Sequence, residues 1–188
     1  MTAQSARPVV VLIGPPGVGK TTVGKLLAER LELLHQDSDD AIVAASGMSI
    51  PEIFERYGEP EFRRLEAETV AGLLTSFNGV LSLGGGAVMT PATQQALADY
   101  VASGGYVVGL DMNGDTAADR LHDGGRPLLS EGDALANWQK LNKTRHSVYR
   151  QVSTNTISVD QLSPFQVVDH IVILREVAES RKLGINEA

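Results

Sequence analysis

The segment Gly14-Pro15-Pro16-Gly17-Val18-Gly19-Lys20-Thr21 meets the spacing G-x-x-x-x-G-K-[ST] at every fixed position. The chemistry such a segment supports is the holding of a polyphosphate. Glycines at 14, 17 and 19 let the main chain curl until successive N–H groups point inward. Pro16, Val18 and Thr22 complete the wrap. Lys20 supplies a mobile cation for the outer phosphates, and the Thr21 hydroxyl is suited to ligate Mg²⁺. A helix beginning at this point adds the positive end of its dipole.

Further residues carry chemistry to the same place. Asp37 and Asp39 are two apart, so on an extended segment they project from one side. They suit either the holding of a Mg²⁺-bound water or the binding and deprotonation of a hydroxyl nucleophile. The alternative is a solvated cap for the helix through Ala41-Ile42-Val43. Arg63 and Glu66, three apart, are neighbours on one helix face, where the carboxylate can hold the guanidinium fork for an external anion. The plainer alternative is a surface ion pair worth under ~1 kcal/mol. Gly84-Gly85-Gly86 is a run in which each interior Gly costs roughly 0.5–1 kcal/mol against Ala. Close main-chain approach to a ligand would justify that cost; a flexible turn is the other reading.

Arginines supply the rest. Arg126 lies in a polar segment between two helices and reads as a cation swung onto the phosphates by a lid, or as part of an ordinary surface loop. Arg120 suits the adenine or a phosphate. Arg145 and Tyr149 sit four apart on a helix. Arg145 can join Arg63 in gripping a carboxylate, because guanidinium forks match that geometry. His35, His122, His146 and His170 show no metal-site spacing and read as structural or solvated.

These residues need elements to position them. The apolar run Val9–Ile13 precedes the first glycine and reads as a buried strand, and Thr22–Leu31 reads as the helix after it. Further strands are expected at about Leu33–Gln36, Val80–Leu83, Tyr106–Leu110 and Thr156–Val159. Helices are expected at Asp40–Ala45, from Ser49 to near Gly58, from there to Ser76, at Pro91–Ser103, Asp115–Leu121, 133–152, and from Pro164 onward. Strands alternating with helices predict a parallel sheet covered on both faces. Ligands of such sheets sit beyond the carboxyl ends of the strands. The glycine loop, Asp37/Asp39 and Gly84–Gly86 all fall there.

Composition sets outer bounds. At 188 residues the chain reads as one domain, residues 1–188, with substrate-binding helices at about 37–76, a lid at about 120–133, and tails at 1–7 and 176–188. The absence of Cys excludes disulfides and thiolate metal sites. No apolar run spans a membrane and no secretory leader is seen, so a cytoplasmic location is expected. The net charge of −7 argues against a nucleic-acid partner.

Several segments, in order, give the chain a family likeness. They are Gly14–Gly24, Asp37-Ser38-Asp39, Ser49–Phe54, Gly58–Glu66 with its Phe62-Arg63-Arg64, and Ser82-Leu83-Gly84-Gly85-Gly86-Ala87-Val88. Arg126-Pro127-Leu128-Leu129 and Arg145 before Tyr149-Arg150 complete the set. In these the chain resembles the shikimate kinases. The resemblance implies a three-layer α/β/α, P-loop kinase fold with five parallel strands in the order 2-3-1-4-5. It implies transfer of the γ-phosphate of ATP to the 3-hydroxyl of shikimate, a step toward chorismate and the aromatic amino acids, in a monomer. Lys20 is then expected on the phosphates, Thr21 on Mg²⁺, and Asp37 on the metal through a water. Asp39 is expected on the shikimate hydroxyls, Arg63 and Arg145 on its carboxylate, the Gly85 and Gly86 region along its ring, and Arg126 on the phosphates. Rivals are another small-molecule P-loop kinase, such as one for gluconate or a nucleoside monophosphate, and a non-catalytic ATP-binding module.

Overall fold

The computed structural model describes residues 7–122 and 134–182. Alternation along the strands decides its layers. In β1 (Val10–Ile13) every side chain is buried, and successive residues face opposite ways. Val10 and Leu12 join one core with Val80 and Val108, and Val11 and Ile13 join another with Leu81 and Val107. A strand apolar on both faces belongs inside a sheet covered on both sides. The order is β2 (Leu34–Asp37), β3 (Gly79–Ser82), β1, β4 (Val107–Asp111), β5 (Asn155–Ser158), with every neighbouring pair parallel. This is the expected 2-3-1-4-5 arrangement.

The helices divide between the two faces by where their apolar residues go. Val23 and Leu27 of α1 (Lys20–Arg30) pack in the first core with Val167, Val168 and Ile171 of α7 (Pro164–Lys182). The second core takes Val70 and Leu74 of α3 (Ile50–Ser76), Leu97 and Tyr100 of α4 (Pro91–Ala102), and Tyr149 of α6 (Ala134–Val152). Ala117 of α5 (Gly114–His122) and Trp138 of α6 reach the first core, so α6 serves both. A third, small cluster of Ile42, Ile53 and Phe62 ties α2 (Ser38–Ser46) to α3.

Helix α3 shows how local sequence shapes the site. Ser49 caps it in a reciprocal box with Glu52, and Pro51 lies in its first turn. The two helices expected on either side of Gly58 form one stretch, broken where Gly58 takes φ 80° and ψ 171°. Pro60 next to the break has no N–H for a helical bond. Strand ends fall within about two residues of the expected ones. At the termini, α7 continues through Lys182, so 176–182 is helix and not the expected tail. Arg7 donates to the Ser103 carbonyl at 2.6 Å and hydroxyl at 3.2 Å. Among the described residues no helix is long and apolar enough to cross a membrane.

Candidate active site

Parallel strands end on one edge, and there the loops after β1, β2 and β3 meet. Gly14 leaves β1 with φ 145°, and a Cβ on it would fall 2.2 Å from the Leu110 carbonyl oxygen of β4. Gly17 and Gly19 take φ 84° and 97°, conformations that disfavour any side chain. The curl is braced through its own carbonyls. Lys20 Nζ donates to those of Gly14 (2.8 Å) and Pro15 (3.0 Å), Trp138 Nε1 to that of Pro16 (3.1 Å), and Arg120 Nη1 to that of Val18 (2.8 Å). Arg120 therefore sits on the loop.

Below it, the Ser82 hydroxyl donates to the Lys20 carbonyl at 3.2 Å, which leaves Ser82 Oγ to accept from His35 Nε2 at 2.9 Å. That assignment puts the imidazole proton on Nε2. Burial holds the His35 pKa below its ordinary value, as suits a neutral structural residue. Gly24 makes room for this contact, since a Cβ there would come within 2.6 Å of the ring.

The acidic pair differs from expectation. The two carboxylates do not share an extended segment: Asp37 ends β2 and caps α2, and Asp39 lies in the first turn of that helix. The cap role thus falls to Asp37. Its Oδ1 accepts from the Asp39 N–H at 3.0 Å and its Oδ2 from the Thr21 hydroxyl at 2.9 Å. Asp39 is left with a buried Oδ1 that has no hydrogen-bond partner among the described residues. Burial, and then the charge of Asp37, push its pKa up to about 6, with Lys20 and Arg63 pulling the other way.

The opposite wall is built by side chains from α3 and α6. Arg63 Nη1 donates to Glu66 Oε2 at 2.7 Å, and Nη2 to Glu59 Oε1 at 3.2 Å. Glu66 is 1% exposed, so this is no surface ion pair. Burial pushes the Glu66 carboxyl upward in pKa while its bond to Arg63 pulls back. On α6, one turn brings Arg145 Nη1 (3.2 Å) and the Tyr149 hydroxyl (2.5 Å) onto the same acceptor, the Gly85 carbonyl. Burial raises the Tyr149 pKa to about 12, keeping it a neutral donor.

The glycine run owes its composition to space. None of Gly84, Gly85 and Gly86 has a positive φ. A Cβ on Gly84 would lie 2.4 Å from Asp39 Oδ1, one on Gly85 3.0 Å from the Pro16 ring, and one on Gly86 2.5 Å from Arg63 Nη1. Each glycine is therefore the floor beneath a different part of the site. The buried Ser38 hydroxyl accepts from the Gly84 N–H at 2.9 Å and fixes that floor to α2.

A cavity of about 520 Å³ joins these parts. It brings together Pro16, Gly17, Gly19, Lys20, Thr21 and Thr22 with Asp37, Asp39, Arg63, Glu66, Gly84–Gly86 and Arg145. Ile50, Phe54, Phe62 and Leu141 give it an apolar wall that the sequence reading passed over as a site. Ser38, Ser82 and Trp138 were missed as well; the one available signal was that Trp138 is the chain's single Trp. Arg126 and the rest of the expected lid from 123 to 133 lie outside the described residues.

The site's oxygen donors bear on a metal. Thr21 Oγ1 and Asp37 Oδ2 lie side by side at the loop, the hard donor type that Mg²⁺ takes. Among the described residues no group of three or more His, Cys, Asp or Glu could hold an ion alone. Two protein oxygens fit a cation that keeps its waters and shares a nucleotide's phosphates.

Comparison with known proteins agrees with this geometry. The family model for shikimate kinase matches residues 16–175. The chain is 41% identical to a shikimate kinase of Corynebacterium efficiens over 172 residues, covering 89% of this chain and 96% of the relative. It is 42% identical to one of Saccharopolyspora erythraea, covering 88% and 92%. Among solved structures, shikimate kinase from Acinetobacter baumannii in complex with shikimate superimposes with a TM-score of 0.80 at 34% identity, covering 90% and 92%.

Proposed function

The chain belongs to the shikimate kinase family, and we propose that its cleft carries that family's reaction with the side chains described above. The γ-phosphate of ATP passes to the 3-hydroxyl of shikimate, giving shikimate 3-phosphate and ADP. The observation that supports this reading best is the placement of Arg63, Arg145 and Asp39 around one glycine floor, in the same cavity as Lys20 and Thr21. A small acid bearing hydroxyls is what two guanidinium groups and one carboxylate would hold.

Roles follow from position. Arg63, its fork oriented by Glu66, and Arg145, oriented by the Gly85 carbonyl, bind the carboxylate of the acid. Asp39 lines the same cavity and takes the hydroxyl of the acceptor. As the P–O bond to the acceptor forms and the bond to the β-phosphate breaks, Asp39 receives the proton of that hydroxyl. With a pKa near 6 it is ionised at neutral pH and close enough in basicity to do so. Lys20 and the inward N–H groups of the loop neutralise charge spread over the transferring group. Thr21, and Asp37 through a water, are the residues that would hold Mg²⁺, and the ion would supply screening of the phosphate charge. Arg120 and Arg126 are assigned to ATP, Arg126 on the resemblance of its segment alone. The reading includes a cytoplasmic monomer, checked by light scattering.

Mass spectrometry after incubation with Mg·ATP and shikimate should show shikimate 3-phosphate. Failure to form it, with phosphorylation of gluconate or a nucleoside monophosphate instead, overturns the substrate. ATP binding with no acceptor phosphorylated at all would favour a non-catalytic binding module.

A further inference from the structure

We infer that Trp138 is a positioning residue that sets the nucleotide loop and ties its occupancy to the acid-binding end of the cleft, through helix α6. The inference rests on the reaction proposed above. Trp138 is 2% exposed and shares a core with Val18 and Met112, yet its indole N–H is directed at the Pro16 carbonyl, 3.1 Å away. In a trans peptide the C=O and the following N–H point in opposite directions. Holding the Pro16 carbonyl toward α6 therefore turns the Gly17 N–H the other way, toward the phosphates. Arg120 does the same for the Val18 carbonyl and the Gly19 N–H from α5. Proline at 16 and glycine at 17, with φ 84°, leave that peptide without side-chain contacts from residue 17 to hold its angle. An outside donor is needed.

The second half of the inference follows from a closed ring of contacts. The Pro16 ring lies against Gly85, where a Cβ would come within 3.0 Å of two of its atoms. The Gly85 carbonyl accepts from Arg145 and Tyr149. Those residues stand about two and three turns beyond Trp138 on the same helix. Thus α6, Pro16 and Gly85 touch one another pairwise. A phosphate that draws on the Gly17 N–H loads the Pro16 carbonyl, the indole and the helix that carries the Arg145 clamp. Contacts of this kind couple two sites only if both ligands bias the same arrangement, and that is open to measurement.

The test uses the full chain and the variant Trp138→Phe, which keeps an aromatic ring and removes the donor. Shikimate affinity is measured by calorimetry with and without saturating Mg·ADP, and the ratio of the two dissociation constants is the coupling factor. The wild-type factor is expected to exceed one. In Trp138→Phe it should fall to about one. The KM for ATP should rise about three- to tenfold, the worth of one neutral hydrogen bond. Shikimate affinity without nucleotide should stay within twofold. A purely structural role would lower the melting temperature and leave the coupling factor alone. That result, or a wild-type factor of one, overturns the inference. Should Trp138→Phe not fold, Tyr149→Phe removes the shorter of the two bonds that α6 makes to the Gly85 carbonyl and leaves Arg145 alone there. The coupling factor should then fall toward one, and an unchanged factor also overturns the inference. Failure of the proposed reaction is distinguishable, because the wild type would then form no shikimate 3-phosphate.

Discussion

The two ends of the cleft are built in different ways. The nucleotide end is made of backbone: its curl is written by three glycines at positive φ, and its braces end on main-chain carbonyls. It leans on the large core in which β1 and α1 are buried. The acid end is made of side chains from three separate elements: Asp39 on α2, Arg63 and Glu66 on α3, and Arg145 on α6. Its own support is the small cluster of Ile42, Ile53 and Phe62. The difference teaches that a charge-neutralising cradle can be fixed by local sequence, whereas a clamp for a particular acid needs long-range assembly. Damage at the two ends should therefore show up in different kinetic constants.

The largest effects should strike turnover. Asp39→Asn is expected to lower kcat by about 10²–10⁴-fold, the range for loss of a general base. Lys20→Ala should lower it by about 10²–10³-fold, as for loss of one charge-stabilising donor. Both are read in a coupled ADP-release assay, and near-normal rates in either variant would remove that residue from the chemistry.

Next comes the separation of binding constants. Arg63→Ala should raise the KM for shikimate about 10–100-fold, as for a hydrogen bond to a charged group, with the KM for ATP within twofold. Parallel rises in both constants would erase the distinction between the two ends. The variant also leaves Glu66 buried without its partner, a change that destabilises by about 3–5 kcal/mol, so its melting curve must be recorded alongside.

Glycine substitutions sharpen the comparison from the other side. Gly86→Ala places a methyl where Arg63 Nη1 now lies, and should weaken shikimate binding about tenfold while sparing nucleotide affinity. Gly19→Ala meets open enough space, with Arg120 Nη1 at 3.5 Å, but is strained by its φ of 97°. It should weaken nucleotide binding and spare shikimate. Isothermal titration of each ligand against each variant decides the matter, and a crossed or uniform pattern breaks it.

The smallest effects concern protons on Asp39. Its folded pKa is raised to about 6, so its carboxylate form is lost as pH falls through that value. kcat/KM for shikimate should drop about tenfold per pH unit below about 6. For stability the sign is reversed. A carboxyl with a raised pKa binds its proton more tightly in the folded state, so its charge opposes folding above about pH 6. That penalty fades as pH falls toward the ordinary carboxylate range. Discounted for partial exposure, it amounts to about 1–2 kcal/mol. Asp39→Asn should thus melt about 2–6 °C higher at pH 7.5, with the shift cut to about a third at pH 4.5. Equal melting shifts at both values would place the cause in packing.

How far the sequence went follows the same division. The P-loop, the parallel sheet and its strand positions were legible, because glycine spacing and apolar runs are local signals. The Arg63–Glu66 pair was legible through helical spacing. The glycine run was seen as unusual, but its reason was not: nothing local says that Asp39, the Pro16 ring and Arg63 each need the missing Cβ. The geometry of Asp37 and Asp39 was misread because a carboxylate at a strand end and one in a helix's first turn look alike at a spacing of two. Trp138 and Ser82 could not be assigned, since each donates to a carbonyl more than 60 positions away.

Asp37 gives its two oxygens to two helices, one to the hydroxyl of Thr21 on α1 and the other to the backbone of Asp39 on α2. The separation between those two helix starts is consequently measured out by the bite of a carboxyl group, a ruler whose covalent angles hardly bend. Lengthening the arm in Asp37→Glu would keep every charge and donor count and still put the marks in the wrong place.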